Sequence, residues 1–179
     1  ADHAQAAVSL VRRVLVPATG TMPDARKYAA SDPHLLAWVQ AAEVDSFLRA
    51  HRRFGDRPLS AQQADEYVAE VGFVSAKLGV IDPPQSVREL KTVLAAYRPE
   101  LRGTPEARDT ARFLLFTPPL PLLARPVYGL ISAAAVAMLP GWARGMLRLP
   151  PPVPIADEVV GRLAGELATR AFRWTLAAS

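Results

Sequence analysis

Residues 28–55, YAASDPHLLAWVQAAEVDSFLRAHRRFG, carry the pattern that decides the fold. Asp32 followed by Pro33 is a typical helix start, because an aspartate side chain caps free backbone amides and proline fits the first helical position. Gly55 is a typical helix stop. The segment therefore predicts one long helix over about residues 33–54, with apolar residues on most of its circumference.

Polar residues interrupt this apolar helix at four positions, Gln40, Glu43, Asp45 and Arg49. Buried polar groups cost free energy unless they have hydrogen-bond partners. A largely buried helix with these residues therefore predicts a polar pocket inside a helical core.

One face of the same helix combines apolar and polar side chains. Helical spacing places five residues in one stripe: Leu36, Gln40, Glu43, Phe47 and His51. Two interpretations stay open at this point. Either Gln40 and Glu43 satisfy neighbouring polar groups in a helical bundle, or they line a cofactor or substrate pocket.

Capping signals predict further helices around this segment. Residues 2–16 form a first helix that ends before Pro17. Ser60 with Gln63 fits a capping box, and the helix that it opens runs to Leu78 and closes at Gly79.

Two more helix starts follow farther along the chain. Ser86 with Glu89 fits a second capping box and opens a helix to about Tyr97, and Thr104–Pro105 opens a helix to Phe116. No strand-like alternation competes with these signals. The predicted fold class is all-α, a single-domain bundle of about six to eight helices with proline-rich connections.

The composition changes after Phe116. Residues 117–126, TPPLPLLARP, predict an extended or kinked connection, and residues 126–143 carry no charge. That length reaches the lower limit for a membrane span, but Pro140–Gly141 interrupts it, which favours a buried core helix over membrane association through 113–143.

A second proline connector, LRLPPPVP at 147–154, precedes a predicted amphipathic helix over about 156–176. We interpret 1–179 as a single helical domain. Residues 1–116 form its core, and residues 117–179 form its proline-connected C-terminal helices.

Charge and composition exclude several classes of function. The 21 cationic and 17 anionic side chains give a net charge of +4, and the cations are scattered, which argues against nucleic-acid binding. The absence of cysteine excludes disulfides, thiolate metal sites and cysteine nucleophiles. The N-terminal residues lack the pattern of a signal peptide, and without cysteine nothing requires an oxidising compartment. We expect a cytoplasmic protein, with peripheral membrane association as the alternative.

The three histidines, His3, His34 and His51, do not form a metal-binding pattern. None lies three or four residues from another, so no metal site is predicted. His34 is expected to be a neutral surface residue in the first turn of the long helix, and His51 to interact with the C-terminal end of that helix. Asp65, Glu66 and Glu70 are typical of a solvated helix face.

Residues 12–60 resemble the oxygenase family that includes the endoplasmic-reticulum-bound mycophenolic-acid-pathway oxygenase and the rubber oxygenase (latex-clearing protein) catalytic domain, with many bacterial members. The resemblance rests on motifs in a shared order, among them Gly20, Asp32–Pro33, Trp38–Val39, Arg53–Phe54–Gly55, Leu78–Gly79–Val80, Tyr97–Arg98–Pro99 and Trp142–Ala143–Arg144. It implies an all-helical oxidoreductase that uses dioxygen, haem b and a small hydrophobic substrate. It also implies that the cofactor pocket is lined by Tyr28, Leu36, Trp38, Gln40, Glu43 and Phe47.

Two positions depart from the family pattern. Leu15 and Gln40 stand where members that resemble this chain usually carry histidine, and neither side chain replaces an imidazole as an axial iron ligand. We therefore expect haem binding by the usual route to be impaired. Two outcomes for the implied oxygenase activity stay open, retention and loss. The alternative interpretation is a non-enzymatic helical interaction domain that forms homo-oligomers through exposed apolar surface.

Overall fold

The structure, a computed structural model, describes residues 2–22, 25–117 and 119–149. These residues contain seven α-helices and one small two-stranded sheet, which confirms the predicted all-α fold class. The predicted helix over 156–176 and most of the second proline connector lie outside the described residues.

The helices begin and end close to the predicted positions. They are α1 (Asp2–Leu15), α2 (Pro33–Phe54), α3 (Ala61–Leu78), α4 (Val87–Tyr97), α5 (Pro105–Phe116), α6 (Arg125–Met138) and α7 (Gly141–Leu147). Leu122–Ala124 form one turn of 3-10 helix in the first proline-rich connection.

The side-chain caps explain where α2 and α3 begin and where α3 ends. The backbone amide of His34 donates to the Asp32 carboxylate at 2.8 Å. Ser60 and Gln63 form both hydrogen bonds of the predicted capping box. At the end of α3, Gly79 adopts a left-handed conformation with φ of 112°, which a side chain would disfavour.

The second predicted capping box, at the start of α4, is only half formed. The Ser86 hydroxyl accepts from the backbone amide of Glu89 at 3.2 Å, as predicted. The Glu89 carboxylate does not return to Ser86 but accepts from the backbone amide of Gln85 at 2.8 Å.

A short antiparallel hairpin, β1 (Thr19–Thr21) with β2 (Lys27–Ala29), occupies a segment that the sequence predicts as a loop. Gly20 pairs with Tyr28, and a Cβ atom at Gly20 would lie 2.5 Å from Cε1 of the Tyr28 ring. The ring therefore packs directly on the glycine backbone, which explains why a residue without a side chain stands there.

The chain divides into two compact units, and the first comprises residues 1–48 and 59–100. Its core lies between α2, α3 and α4 and is formed by Ala41, Val44, Leu48, Ala64, Val68 and Leu90. Asp65 connects two of these helices, because its carboxylate accepts from the backbone amide of Val87 at 2.7 Å. The prediction that Asp65 belongs to a solvated face is therefore wrong, whereas Glu66 and Glu70 are exposed as predicted.

The expectation that α2 is largely buried is also wrong. Its buried residues are Ala41, Val44 and Leu48, which face the core. The predicted stripe lies roughly a quarter turn away from that face, at 100° per residue. As a result Glu43 is exposed, and Phe47 keeps 55% of its surface accessible.

The second unit comprises residues 49–58 and the chain from Leu101 onward. Here α5 contacts α6 and α7. The Tyr128 hydroxyl donates to the carbonyl oxygen of Leu114 at 2.6 Å, and Nε of Arg108 donates to that of Met146 at 3.1 Å. A Cβ atom at Gly103 would overlap the Met146 carbonyl oxygen, so this glycine permits the close approach. The predicted organisation into a core at 1–116 and C-terminal helices at 117–179 stays a prediction.

Among the described helices, none is by itself long and apolar enough to cross a membrane. Only α6 and α7 taken together reach that length and hydropathy, and the two are bent by 117° at the break that Pro140 introduces.

Candidate functional site

The first unit contains a groove of about 300 Å³, lined by α2, the loop of residues 79–86 and α4. We call it the α2–α4 groove. Its apolar lining residues are Ala37, Val80, Ile81, Pro84, Val93 and Ala96. This volume is at the lower end of the range for small-molecule pockets.

The polar lining of the groove is acidic. It consists of His34, Gln40, Asp82, Tyr97 and Glu100, with no lysine or arginine among the lining residues. Two carboxylates thus lie at an apolar surface, which favours positive over negative charge in a bound molecule.

A hydrogen-bonded cluster joins the start of α2 to the end of α4. Nε2 of His34 lies 2.7 Å from Oε2 of Glu100. The Tyr97 hydroxyl donates to the carbonyl oxygen of His34 at 2.8 Å and lies 3.2 Å from Nδ1 of the same residue. Both ring nitrogens of His34 therefore have a polar partner.

Aromatic contacts fix Tyr97 in this cluster. Its ring centroid lies 4.6 Å from that of His34 and 5.6 Å from that of Trp38. Burial raises the pKa of the Tyr97 phenol, and the neighbouring carboxylates of Glu100 and Asp32 raise it further. The phenol is thus kept protonated, as its role as a donor to His34 requires.

Asp82 lies on the loop that forms one side of the groove. Its backbone has φ of 47°, a left-handed conformation that aspartate adopts more readily than most residues. Within the part of the chain that the structure describes, its exposed carboxylate has no hydrogen-bond or ion-pair partner.

The same loop packs against α3 at Gly72. This glycine is buried, and a Cβ atom there would lie 3.0 Å from both the Pro84 carbonyl oxygen and Nε2 of Gln85. The backbone of α3 therefore supports the loop from behind, next to Pro84 of the groove lining.

Of the six residues predicted to line a cofactor pocket, Gln40 lies in the α2–α4 groove. Trp38 does not line the groove, but its ring packs on that of Tyr97, which does. Leu36 is half-buried near the end of α3, where its Cδ1 atom would lie 3.6 Å from a Cβ at Gly79.

The other three predicted residues are not part of this groove. Tyr28 packs on Gly20 in the hairpin, and Phe47 is exposed on α2. Glu43 is exposed near Tyr67, whose pKa is raised first by burial and then by the Glu43 charge. The structure does not bring the six together in one pocket, and their role in cofactor binding stays a prediction.

The described residues do not fit a haem. In the groove, both ring nitrogens of His34 are engaged by Glu100 and Tyr97, and outside it Nε2 of His51 lies 3.0 Å from the carbonyl oxygen of Arg57. The groove volume of about 300 Å³ is also far smaller than a porphyrin requires. Among the described residues, no group of three or more potential metal ligands is found.

Sequence reasoning missed two main members of the cluster, Glu100 and the phenol of Tyr97. His34 is at the surface as predicted, but its partners are distant in sequence. The available signal was the motif Tyr97–Arg98–Pro99, which contributes to the family resemblance and ends one residue before Glu100.

Comparison with known proteins identifies the family of this chain. Searches of curated proteins and of solved structures returned no match to the chain. A family model described as "ER-bound oxygenase mpaB/B'/Rubber oxygenase, catalytic domain" matches residues 1–178. The match spans nearly the whole chain and agrees with the resemblance carried by its motifs. The chain belongs to this family of oxygenase catalytic domains.

Proposed function

We propose that this member of the oxygenase family binds a small molecule in the α2–α4 groove and does not carry out haem-dependent oxygenation through the family's usual histidine positions. The observation that carries the proposal is the groove itself. Its lining combines apolar residues with the hydrogen-bonded cluster of His34, Tyr97 and Glu100, and it includes Gln40, the position at which the family resemblance implies histidine.

The loss of haem ligation follows from the donor groups. An axial ligand to haem iron needs a free electron pair on a donor such as imidazole or thiolate. Leu15 offers none, Gln40 offers a weak amide donor, and the chain has no cysteine. Either nitrogen of His34 would have to give up a hydrogen bond to serve in their place.

Small-molecule binding follows from the way the groove is built. Six apolar residues supply contact area, and Tyr97, whose ring contacts those of His34 and Trp38, places polar groups at one end. A pocket with an apolar lining and a few oriented polar groups is the usual form of a ligand site.

A fragment screen by NMR tests the binding proposal. We expect small apolar fragments to shift the backbone amides of the loop 79–86 and of Ala96 and Tyr97. The variant Ala96→Trp fills the groove and should abolish these shifts. Ala95→Trp is the matched control, because Ala95 is exposed on the same helix and does not line the groove. Unchanged binding in Ala96→Trp, or no fragment that shifts groove amides, would contradict the proposal.

Absorbance titration with haem tests the other half of the proposal. We expect no Soret band typical of histidine-ligated haem when the protein and haem are mixed at equal concentration. A sharp band at that ratio would show that a histidine ligates the iron. That result would reject the proposal that haem ligation is lost.

A second candidate function is a helical interaction domain, with another copy of this chain as the partner. In the first unit, Leu10 and Val14 of α1 and Phe73 of α3 expose 57%, 65% and 65% of their surfaces. Large exposed apolar residues are typical of protein contact surfaces when they are contiguous. Sedimentation equilibrium measures the oligomeric state of the protein. A monomer at all concentrations up to the millimolar range would reject homodimerisation.

A further inference from the structure

The charges that line the α2–α4 groove indicate what kind of molecule it accepts. We infer that the groove binds a small organic cation, an amine with an aliphatic or aromatic body, whose ammonium group lies between Asp82 and Glu100. This inference rests on the proposed function, because it assumes that the groove is a ligand site.

Asp82 is the first partner for the ammonium group. Among the described residues its carboxylate is unpaired, although the side chain lines an apolar groove. An ionised carboxylate accepts about four hydrogen bonds, and bonds to a charged donor are the strong ones. Its backbone is left-handed, with φ of 47°, in the loop that lines the groove.

Glu100 is the second partner. Its Oε2 atom accepts one hydrogen bond from Nε2 of His34, which leaves acceptor positions on the same carboxylate. The His34 contact also holds the carboxylate in one place at the groove. The ammonium group of a ligand would then donate to the same Glu100 carboxylate that already accepts from His34.

Tyr97 adds an aromatic surface at the same end of the groove. Its hydroxyl is committed to the carbonyl oxygen of His34. The Tyr97 ring lines the groove while it packs against the rings of His34 and Trp38. The features of the lining that favour a positive charge are therefore its two carboxylates, Asp82 and Glu100.

The apolar lining and the volume set the body of the ligand. A volume of about 300 Å³ is at the lower end of the range for small-molecule pockets, which suits a small ligand. The side chains of Val80, Ile81 and Val93 supply apolar contacts for a short chain or a single ring.

Anions and neutral molecules lack this match. The lining has one side chain able to carry positive charge, His34, and it already faces Glu100. An anion would therefore meet two carboxylates without a free cation among the lining residues. A neutral molecule of equal shape would gain the apolar contacts alone.

Three probes of nearly equal size test the inference with the full chain at pH 7: 2-phenylethylamine, 2-phenylethanol and phenylacetate. Dissociation constants come from NMR titration of the groove amides. We expect the amine to bind about ten-fold more tightly than the alcohol, and phenylacetate to bind more weakly than both. Added salt should weaken only the binding of the amine, because the groove opens to solvent.

Two variants test whether Asp82 and Glu100 cause the preference for a positively charged ligand. Asp82→Asn and Glu100→Gln should each weaken amine binding by about three- to ten-fold and leave alcohol binding within about two-fold. Asparagine tolerates the left-handed backbone, so Asp82→Asn keeps the loop conformation. Glu70→Gln is the matched control, since it removes one exposed carboxylate of the same unit that does not line the groove.

The outcomes separate the inference from the proposed function. Equal binding of the three probes, with shifts at groove amides, would overturn the selection for cations and leave the groove as a binding site. An Asp82→Asn variant that behaves like Glu70→Gln would overturn the role of Asp82. If no probe shifts the groove amides, both the inference and the proposed function fail.

Discussion

Nε2 of His34 lies 2.7 Å from Oε2 of Glu100, although 66 residues separate the two in the sequence. Both side chains keep more than half of their surface exposed, 57% for His34 and 55% for Glu100. A pair this exposed contributes at most about 1 kcal/mol to folding. Its main effect is to hold a carboxylate in one position at the α2–α4 groove.

Replacing Tyr97 by phenylalanine should change how stability depends on alkaline pH. The phenol pKa is raised from 10.0 by burial, then by Glu100 and Asp32. The native state therefore holds the phenol proton more tightly than the unfolded state, and this stabilisation is complete below pH 10 and lost as the pH rises through the folded pKa. We expect the free energy of unfolding of Tyr97→Phe to fall less steeply above pH 10.

Urea unfolding between pH 8 and pH 11 measures this effect. At pH 8 the variant should also be less stable by about 1 kcal/mol, because it lacks the hydrogen bond to His34. Parallel curves for wild type and variant above pH 10 would contradict the assignment of the alkaline loss to Tyr97.

Replacing Asp65 by alanine should destabilise the first unit. The Asp65 carboxylate accepts from the half-buried backbone amide of Val87, which is left without a partner when the side chain is truncated. We expect the free energy of unfolding to fall by about 1–2 kcal/mol. Chemical denaturation measures the change, and Glu70→Ala, exposed on the same helix, should stay within about 0.5 kcal/mol of wild type. Equal effects for the two variants would show that the Asp65 bond contributes nothing.

Replacing Gly103 by alanine should destabilise the second unit. The new Cβ atom would overlap the carbonyl oxygen of Met146, so the backbone must move. We expect a loss of about 1–3 kcal/mol in thermal unfolding. The control is Gly129→Ala, because Gly129 lies inside α6 with nothing within 4 Å of its added Cβ. That change should stabilise by about 0.5–1 kcal/mol, and the same sign for both variants would refute the packing argument.

Placing histidine at positions 15 and 40 tests whether a haem cavity survives. The sequence predicts that Leu15→His with Gln40→His raises haem affinity only if the cavity is still there. Gln40 lines a groove of about 300 Å³, so we expect no gain and no Soret band at an equal concentration of haem. Absorbance titration measures it, and a band in the double variant would mean that the scaffold opens a larger space than the α2–α4 groove.

Helix boundaries were the most predictable part of the structure, because local capping chemistry determines them. The start of α2 at Pro33 and the end of α3 at Gly79 are examples. The hairpin of β1 and β2 was not predictable in the same way. Its strands are three residues long, too short for alternation to be recognised, and its pairing depends on a contact between Gly20 and Tyr28.

The candidate site was less predictable, because its geometry comes from contacts between distant segments. Apolar residues surround α2 on most sides, so the sequence does not decide which face turns to the core. Packing selected Ala41, Val44 and Leu48, and it left Glu43 and Phe47 outside. The partnership of His34 with Glu100 depends on how α2 and α4 pack, which no local pattern reports.

The close contact between Gly72 and the loop at Pro84 has a consequence for how this domain can diversify. The aperture of the groove is set from its far side, by a residue that a bound molecule never touches. A methyl group at Gly72 would lie 3.0 Å from the Pro84 carbonyl oxygen, so the loop would have to shift by a few tenths of an ångström, although Gly72 itself does not line the groove. Ligand preference in such a domain can therefore change through substitutions at supporting positions such as Gly72, before any residue that contacts the ligand is replaced.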